Sequence, residues 1–464
     1  MYHNWLKSYQ NIGEVRTQVP LRVASGSLPK QLNGTYYKCG PGQFSKFGSQ
    51  VAHPFDGDGY VSAYRISAGE VTYQSRFIDT KHRQEEERSQ RRMYSGAFGT
   101  HPYGLIIKNP ANTSIIEWGG FLIVFCESGA PYLLDRDTLE TIGTLRPFKD
   151  GLPIRFGIDV IDDALHGIGI FGDAIGAHPK IFNDVLILYS ITYKGGSSVI
   201  TFYELNKNFE IISLRQHTLE NALYFVHDFQ VVEDYYIFIE HSVNFNWTQI
   251  HRGVVNCLEN HPNKPYNVIH AISRKADGVP AKHEVLPGFV SHYVGLPKEI
   301  GHSSSSSSSS YEMSSIIYPN LIKWDDMSDM NGGVLFRTQW NLGAKCVKQD
   351  RMSPHLYEFP MSAGSVMYSL VVTDDDRRGL SRLEGGMETF WFIEEHMFLG
   401  EPMIASGYLI VTCFDSQENA STLLVFDGVC IDQGPLCKID LPHVTPIGLH
   451  GWWSPSKALI QNQL

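Results

Sequence analysis

Four of the nineteen histidines have mostly small or apolar neighbours, and Asp228 is the only charged residue directly beside any of them. They are His178, His227, His292 and His450. Such surroundings predict burial, and buried neutral imidazoles from distant parts of a chain are suited to bind one metal ion. An all-histidine site without thiolate suits Fe(II), Zn, Cu or Ni, and the ligand type does not choose among them. The alternative for each histidine is an ordinary surface position or a core position with a backbone partner.

Three glutamates could orient these imidazoles. A metal-bound imidazole normally donates its second N–H to a carboxylate or a carbonyl oxygen, so buried glutamates should accompany the histidines. Glu127 and Glu401 follow apolar segments, and Glu358 stands between Tyr357 and Phe359. The alternative for each is a turn or an edge strand, because glutamate is seldom fully buried.

The elements that would position these residues are predicted to be strands. Short segments rich in Val, Ile, Phe and Tyr alternate with Gly, Asn and Asp along the chain, which is typical of strands. Two glycines at 119–120 predict a hairpin turn between strands 113–118 and 121–127, and residues 194–196 predict another turn between 185–193 and 199–205. Further strands are predicted at 234–240, 315–318, 369–373, 389–393, 408–414 and 423–427. We therefore expect an all-β fold, either a propeller or a large barrel, although no repeat of about 20–50 residues is visible.

Two segments differ from this pattern. Residues 83–88 have the composition of a helix, and their mixed charges predict a solvated face. Residues 303–310 are eight serines, which cannot bury apolar area and predict a flexible loop inserted between strands.

The composition excludes several classes of protein. The 464 residues are 42% hydrophobic and 19% charged, which excludes a disordered or fibrous chain. The net charge of −11 gives little electrostatic support for nucleic-acid binding. The sequence contains no run of about 18 apolar residues, so no transmembrane helix is predicted.

The seven cysteines indicate a reducing compartment. Their number is odd, no pair forms a CxxC motif, and several lie in apolar segments, as free buried thiols do. The N-terminal residues lack the basic start and apolar stretch of a secretory signal. We expect a cytoplasmic protein, with contact with one membrane leaflet and a plastid location both left open.

A series of short motifs resembles one known family. The motifs are GTYYKCGPG at 34–42, FDGDG at 55–59, NT at 112–113, ESGAPY at 127–132, AHPK at 177–180, EP at 401–402 and HGW at 450–452. Their types and order resemble the carotenoid cleavage oxygenases over nearly the whole chain. The resemblance implies a single domain over residues 1–464, built as a seven-bladed β-propeller whose loops and short helices form a dome over an Fe(II) site.

The resemblance also implies roles for the candidate residues. Matched by motif, the Fe(II) ligands would be His178, His227, His292 and His450, and the glutamates bonded to three of them would be Glu127, Glu358 and Glu401. His292 departs from the family pattern, because an Asn-Ala pair usually follows this histidine closely and Val294-Gly295 stands here. The rival third ligands are His241, His283 and His302, none of which has the preceding Pro-Gly-Phe segment found at 287–289.

The activity implied by the resemblance is an Fe(II)-dependent dioxygenase that uses O₂ to cleave a conjugated double bond of a carotenoid or apocarotenoid into two carbonyl products. Stilbene-cleaving relatives resemble one another in carrying a lysine just before the glutamate matched by Glu127, whereas this chain has Cys126. That difference favours a polyene over a phenolic stilbene. Retinoid isomerisation is less favoured, because the chain lacks the extra length of that branch.

A non-catalytic alternative stays open, in which a propeller binds a lipid or a protein. In that case the histidines and glutamates only hydrogen-bond to other polar groups along the propeller axis. A buried cluster of this size is costly for a binding scaffold, which argues against the alternative. A carotenoid substrate also predicts an apolar surface that contacts a membrane. Trp5 and Leu6 are one candidate for that surface, unless the N-terminal segment packs on the body of the protein.

Overall fold

Antiparallel strands make up most of the chain. The computed structural model describes residues 2–101, 106–145, 174–194, 196–221, 223, 225–275, 278, 280–302, 309–318, 333–341 and 347–456. Segments rich in β-branched and aromatic residues form the strands, and turns containing Gly, Asn and Asp separate them. This confirms the predicted all-β class.

The strands are numbered in chain order. Up to residue 145 they are β1 (Val15–Pro20), β2 (Val23–Gly26), β3 (Gly34–Gln43), β4 (Ser45–Lys46), β5 (Ser49–Gln50), β6 (Asp58–Ser67), β7 (Glu70–Phe77), β8 (Ser114–Trp118), β9 (Phe121–Phe125), β10 (Tyr132–Leu134) and β11 (Thr141–Thr144). The next strands are β12 (Lys180–Phe182), β13 (Val185–Lys194), β14 (Ser197–Leu205), β15 (Ile211–Leu219), β16 (Gln230–Val231), β17 (Tyr235–Glu240), β18 (Val243–Phe245), β19 (Leu258–Asn260), β20 (Asn267–Ser273), β21 (Ala281–Val285), β22 (Phe289–His302) and β23 (Ser309–Tyr318). The last are β24 (Gly333–Asn341), β25 (Val347–Ala363), β26 (Val366–Val372), β27 (Arg378–Glu384), β28 (Met387–Phe392), β29 (Met397–Leu399), β30 (Met403–Ala405), β31 (Tyr408–Asp415), β32 (Ala420–Asp427), β33 (Cys437–Asp440) and β34 (Gly451–Pro455).

Helices are few and short in the described part of the chain. The α-helices are α1 (Tyr2–Leu6) and α2 (Lys81–Ser89). Short 3₁₀ segments occur at Pro54–Asp56, Trp247–Arg252, Val255–Cys257 and Ile431–Gln433. No helix in the described ranges is both long and apolar enough to cross a membrane.

The strands form six larger sheets among the described residues. Sheet 1 has the order β1-β7-β6-β3-β34, sheet 2 β11-β10-β9-β8, sheet 3 β12-β13-β14-β15 and sheet 4 β16-β17-β20-β21. Sheet 5 runs from β22 to β28 in sequence order, and sheet 6 has the order β2-β33-β32-β31-β29, with β30 also paired to β31. Two small ribbons, β4-β5 and β18-β19, complete the set. Because β34 joins sheet 1 and β2 joins sheet 6, the two ends of the chain share two sheets.

Buried apolar clusters join each sheet to the next. One cluster lies between each successive pair of sheets from 1 to 6. Another returns from sheet 6 to sheet 1, where Tyr36 and Tyr64 share a cluster with Ile410 and Val425. The six sheets therefore pack in a closed cycle.

Both predicted hairpins are confirmed by the strand pairing. Trp118 pairs with Phe121 across Gly119 and Gly120, whose positive φ angles of 58° and 88° suit glycine. Strands β13 and β14 pair from one end to the other, although Gly195 in their turn lies outside the described residues. The other predicted strands overlap β17, β23, β26, β28, β31 and β32, with ends that differ by zero to six residues.

The predicted helix is confirmed as α2, but its solvated interpretation is wrong for one residue. Glu86 is completely buried. It contacts the ammonium groups of Lys46 and Lys108, which are themselves buried. The sequence pattern could not show this, because both lysines come from other segments.

The N-terminal segment packs on the body of the protein. Trp5 and Tyr9 lie against Phe398 and Ile447. This favours the packing alternative for Trp5 over a free membrane-binding end.

The serine segment and the cysteines also have partial outcomes. Residues 303–308 of the serine segment lie outside the described residues, and the last two serines open β23. Six cysteines are free thiols, four of them buried, which confirms that prediction for the described residues; Cys346 lies outside them.

Candidate metal centre

The four candidate histidines lie at the edge strands of four different sheets. His178 and His227 stand just before β12 and β16, His292 lies in β22, and His450 directly precedes β34. Each of these strands is the terminal strand of its sheet. The cyclic packing of the sheets brings these edges together, which the sequence alone could not show.

The imidazole rings form one compact cluster. The ring centre of His178 lies 4.3, 5.1 and 4.8 Å from those of His227, His292 and His450. The ring of His292 is 5.3 Å from that of His227 and 5.1 Å from that of His450. The Nε2 atoms of His178 and His227 are 3.0 Å apart. One nitrogen from each of His178, His292 and His450 lies within 4.8 Å of the others.

The three candidate glutamates contact three different histidines. Glu127 Oε1 lies 2.9 Å from Nδ1 of His227, and Glu401 Oε1 lies 2.8 Å from Nδ1 of His450. The second oxygen of Glu401 accepts the backbone N–H of Gly451 at 2.7 Å.

The contact of Glu358 is longer, with Oε1 3.5 Å from Nε2 of His292. The side chains of Glu127 and Glu358 are partly buried and that of Glu401 is buried, so none of the three faces solvent.

Burial and a neighbouring glutamate shift the pKa values of His178, His227 and His292. Burial and then the neighbouring imidazoles hold the pKa of His178 well below its usual value, and the pKa of His292 is lowered in the same way. Burial also lowers the pKa of His227, but the hydrogen bond and charge of Glu127 outweigh it and raise that pKa. Neutral imidazoles keep the nitrogen lone pair that a metal needs.

Burial at the centre disfavours the charged form of Glu358. Burial raises the pKa of Glu358 to about 7, and the charge of Glu401 adds to the effect. Its Oε2 is buried without a hydrogen-bond partner. A divalent cation at the imidazoles would offset this charge. The residues present therefore fit a metal held by histidine nitrogens, with carboxylates behind them.

Two of the rival third histidines lie elsewhere. Both ring nitrogens of His241 lie beside backbone groups, with Nδ1 3.2 Å from the carbonyl of Phe225 and Nε2 accepting the N–H of Val290 at 3.0 Å. The ring of His283 packs against Trp340. The side chain of His302, at the end of β22, lies outside the described residues.

A cavity lies one aromatic layer away from the histidine cluster. Its volume is about 230 Å³, and its lining includes Val243, Lys264 and Phe289. The Phe289 ring lies 6.2 Å from the ring of His227 and stacks on Phe225 at 5.7 Å. Phe289 therefore belongs both to the cavity lining and to the aromatic rings packed around His227.

The structure adds two residues that the sequence interpretation did not assign. Asp228 is buried and bonds to segments beside two other histidines, as detailed below. Phe359 places its ring 5.5 Å from His450 and 6.2 Å from His292. Its backbone is left-handed, with φ of 49°, a strained conformation for an aromatic residue. The charge beside His227 was a visible signal for Asp228, whereas nothing in the sequence marked Phe359.

Comparison with known proteins places the chain in a family. Residues 9–455 match the family model described as "RPE65: Retinal pigment epithelial membrane protein". The chain therefore belongs to this family, that of the carotenoid cleavage oxygenases, and the resemblance seen in its motifs is confirmed.

Full-length relatives include enzymes with different substrates. An apocarotenoid-15,15'-oxygenase of Synechocystis sp. (strain ATCC 27184 / PCC 6803 / Kazusa) is 27% identical, over 97% of this chain and 96% of that protein. An isoeugenol monooxygenase of Pseudomonas nitroreducens is 24% identical, over 95% of this chain and 97% of that protein. The crystal structure of cobalt-substituted Synechocystis ACO superimposes with a TM-score of 0.83 at 26% identity, covering 98% of this chain and 99% of the other. The names of the two enzymes give different substrates, an apocarotenoid and isoeugenol.

Proposed function

We propose that this protein is a non-haem Fe(II) dioxygenase that cleaves a conjugated double bond of a carotenoid or apocarotenoid into two carbonyl products. The observation that carries the proposal is the cluster of four imidazoles at the meeting point of four sheet edges, backed by three glutamates. Bound Fe(II) would supply a Lewis-acidic, redox-active position for dioxygen, which cleavage of a double bond requires. Both atoms of O₂ end in the two carbonyl groups, so no further reductant is needed.

The protein's own residues hold and orient this centre. His178, His227, His292 and His450 would be the metal ligands. Glu401 fixes the ring of His450 through a hydrogen bond to Nδ1, and Glu127 lies 2.9 Å from Nδ1 of His227. In both rings Nε2 is then left for the metal. Glu358 lies 3.5 Å from Nε2 of His292 rather than from Nδ1, so Nδ1 would be the nitrogen of that ring left for the metal.

Aromatic side chains would position the substrate. Phe225, Phe289 and Phe359 place rings within 6.2 Å of the ring centres of candidate ligands. Such rings exclude water and give a flat polyene apolar surfaces to lie against. The carbon pair that lies nearest the centre would then be the pair that is cut.

The residue before Glu127 supports a polyene over a phenolic substrate. Cys126 contacts the Ser128 hydroxyl at 3.2 Å, and burial raises the pKa of its thiol, so this position offers no cation to a phenolate. A stilbene or isoeugenol-like phenol is the second candidate, supported by the isoeugenol monooxygenase among the relatives.

We also infer a seven-bladed β-propeller formed by a single domain. Sheet 5 divides at β25, whose first part pairs with β24 as far as Tyr357 and whose last part, from Leu356, pairs with β26. Each half then has four strands, and an apolar cluster with Phe289 and Tyr357 lies between the halves. Six sheets of which one is double give seven units in a cycle, which supports the proposal.

A surface beside the cavity is the proposed membrane contact. Trp247 and Ile250, in the 3₁₀ turn between β18 and β19, are 71% and 40% exposed. The ribbon β18-β19 contributes Val243 and Asn260 to the cavity lining. The same turn ends in Arg252, which suits anionic headgroups. An insoluble substrate could pass from a leaflet into the cavity at this point, and the free thiols favour a reducing compartment such as the cytoplasm.

Aerobic incubation with a panel of substrates tests the proposed activity. Purified protein is mixed with carotenoids, apocarotenals, resveratrol and isoeugenol, and product masses are measured. We expect paired carbonyl products from a carotenoid or an apocarotenal. Cleavage of the phenols alone would support the second candidate, and no product from any of them, together with no bound iron, would support a non-catalytic binding protein.

A further inference from the structure

Asp228 joins three segments that carry candidate metal ligands. It directly follows His227, and its carboxylate is buried, with 3% of the side chain exposed. Its Oδ1 lies 2.6 Å from Nζ of Lys180, two residues after His178. Its Oδ2 accepts the backbone N–H of Tyr293, the residue after His292, at 3.1 Å. One side chain therefore spans sheets 3, 4 and 5 at the point where their histidines meet.

Further hydrogen bonds fix the position of the Asp228 carboxylate and of the segment that carries it. Oδ1 also accepts the N–H of Phe229 at 2.8 Å, which fixes the rotamer of the carboxylate. Gln230 in β16 also links its strand to β22, because its Nε2 donates to the carbonyl of Gly295 at 2.6 Å. A carboxylate held in this way cannot reach the metal position, so its role is structural support of the ligand-bearing backbone.

We propose that Asp228 is a positioning residue, which sets the spacing of His178, His227 and His292 through its bonds to Lys180 and Tyr293 and thereby raises the affinity of the centre for a divalent metal. This inference rests on the proposed metal centre. A preformed ligand arrangement binds a metal more tightly, because less ordering accompanies binding. Residues that support metal ligands from behind typically contribute about 10- to 100-fold in affinity.

The test is a chelator competition on the full-length protein loaded with Co²⁺. In Asp228→Asn the side-chain amide can still accept a backbone N–H, but it offers no charge to Lys180. We expect the dissociation constant for Co²⁺ to rise about 10-fold. The matched control is Asp234→Asn, because Asp234 pairs with Lys275 at the same 2.6 Å distance on the exposed surface. The control should bind Co²⁺ as the wild type does.

A second variant separates positioning from general damage. Lys180→Gln removes the other end of the same tie, so it should weaken Co²⁺ binding, and the double variant with Asp228→Asn should lose little beyond either single change. Because each single variant leaves one largely buried charge unpaired, the metal-free protein should melt at a lower temperature than the Asp234→Asn control in both, and the double variant should recover part of that loss. Co²⁺ binding is therefore measured well below these melting temperatures, where every variant is folded.

Three results would overturn the inference. The first is a dissociation constant for Asp228→Asn within about twofold of the control. The second is a double variant whose loss is the product of the two single losses, since the two residues would then act independently. The third is a wild-type protein that does not bind Co²⁺, which would overturn the proposed metal centre as well, whereas tight binding by both wild type and Asp228→Asn overturns this inference alone.

Discussion

A buried cluster of charged side chains surrounds Glu86, and removing one of its charges is predicted to lower the stability of the protein. Lys46 lies 2.8 Å from both Asp58 and Glu86, and Lys108 lies 2.7 Å from Glu86 and also contacts Asp58. All four side chains are at most 5% exposed. Two positive and two negative charges balance in this space. Any change that removes one charge leaves a buried net charge, which is costly in an apolar interior.

Glu86→Gln should therefore destabilise the protein strongly. It removes one negative charge and places an amide donor near Lys46 and Lys108, while the second Glu86 oxygen, which accepts the N–H of Met93 at 3.0 Å, stays in place as the amide oxygen. Breaking a buried ion pair on one side costs about 3–5 kcal/mol. With an unfolding entropy of roughly 2 cal/mol/K per residue, a chain of this length should lose about 3–5 °C in Tm. Differential scanning calorimetry measures the shift.

Two comparisons keep the result interpretable. Glu87→Gln, one residue further along α2, removes an acidic side chain that is 37% exposed and should cost less than about 1 kcal/mol. Adding Lys108→Met to Glu86→Gln restores neutrality, so the double variant should lose clearly less than the sum of its two single changes. Equal melting temperatures for Glu86→Gln and Glu87→Gln, or a double variant that loses the full sum, would refute the charge-balance explanation.

Three further predictions follow from the same structure. Glu127→Gln should lower iron affinity or activity about 10- to 100-fold with an unchanged melting temperature; parallel loss of metal and fold would contradict a purely orienting role. Burial alone raises the pKa of Asp58, but Lys108 and Lys46 lower it to about 2, below the unfolded value of about 3.9. The ionised Asp58 therefore stabilises the fold at neutral pH, and this stabilisation is lost as the pH falls from about 4 to about 2. Calorimetry should show that the melting temperature of Asp58→Asn falls less steeply over that range than the melting temperature of the wild type. Trp247→Ser should reduce binding to anionic liposomes and turnover of membrane-borne substrate, but it should leave turnover of detergent-solubilised apocarotenal unchanged. The control is Ile142→Ser in β11, which removes another exposed apolar side chain and should change neither liposome binding nor turnover. Equal losses of turnover with both substrate forms would exclude the membrane explanation.

The sequence predicted the strands well because their signals are local. The turn at Gly119 and Gly120 is set by positive φ angles that glycine adopts easily, and the apolar segments around it are continuous. The same local signals could not show that the edges of sheets 1, 3, 4 and 5 meet, which depends on packing between distant segments.

The candidate site was predicted from motif types rather than from geometry. The neighbours of His178 and His450 indicated burial, but the 4.8 Å separation of their rings appears only in the fold. Glu86 shows the opposite case. The mixed charges of its helix predicted a solvent-exposed side chain, whereas the structure buries Glu86 against two lysines from other segments. Asp228 was visible only as a charge beside His227, because its partners lie 48 and 65 residues away in the chain.

Iron content is the most direct test of the proposed centre. Purified wild-type protein, analysed by inductively coupled plasma mass spectrometry, should contain about one iron per chain, and His450→Ala should lose most of that iron together with all cleavage activity. His443→Ala is a suitable control, because His443 contacts Tyr73 rather than the cluster and should leave the iron in place. A fully active, iron-loaded His450→Ala protein would contradict the four-histidine centre.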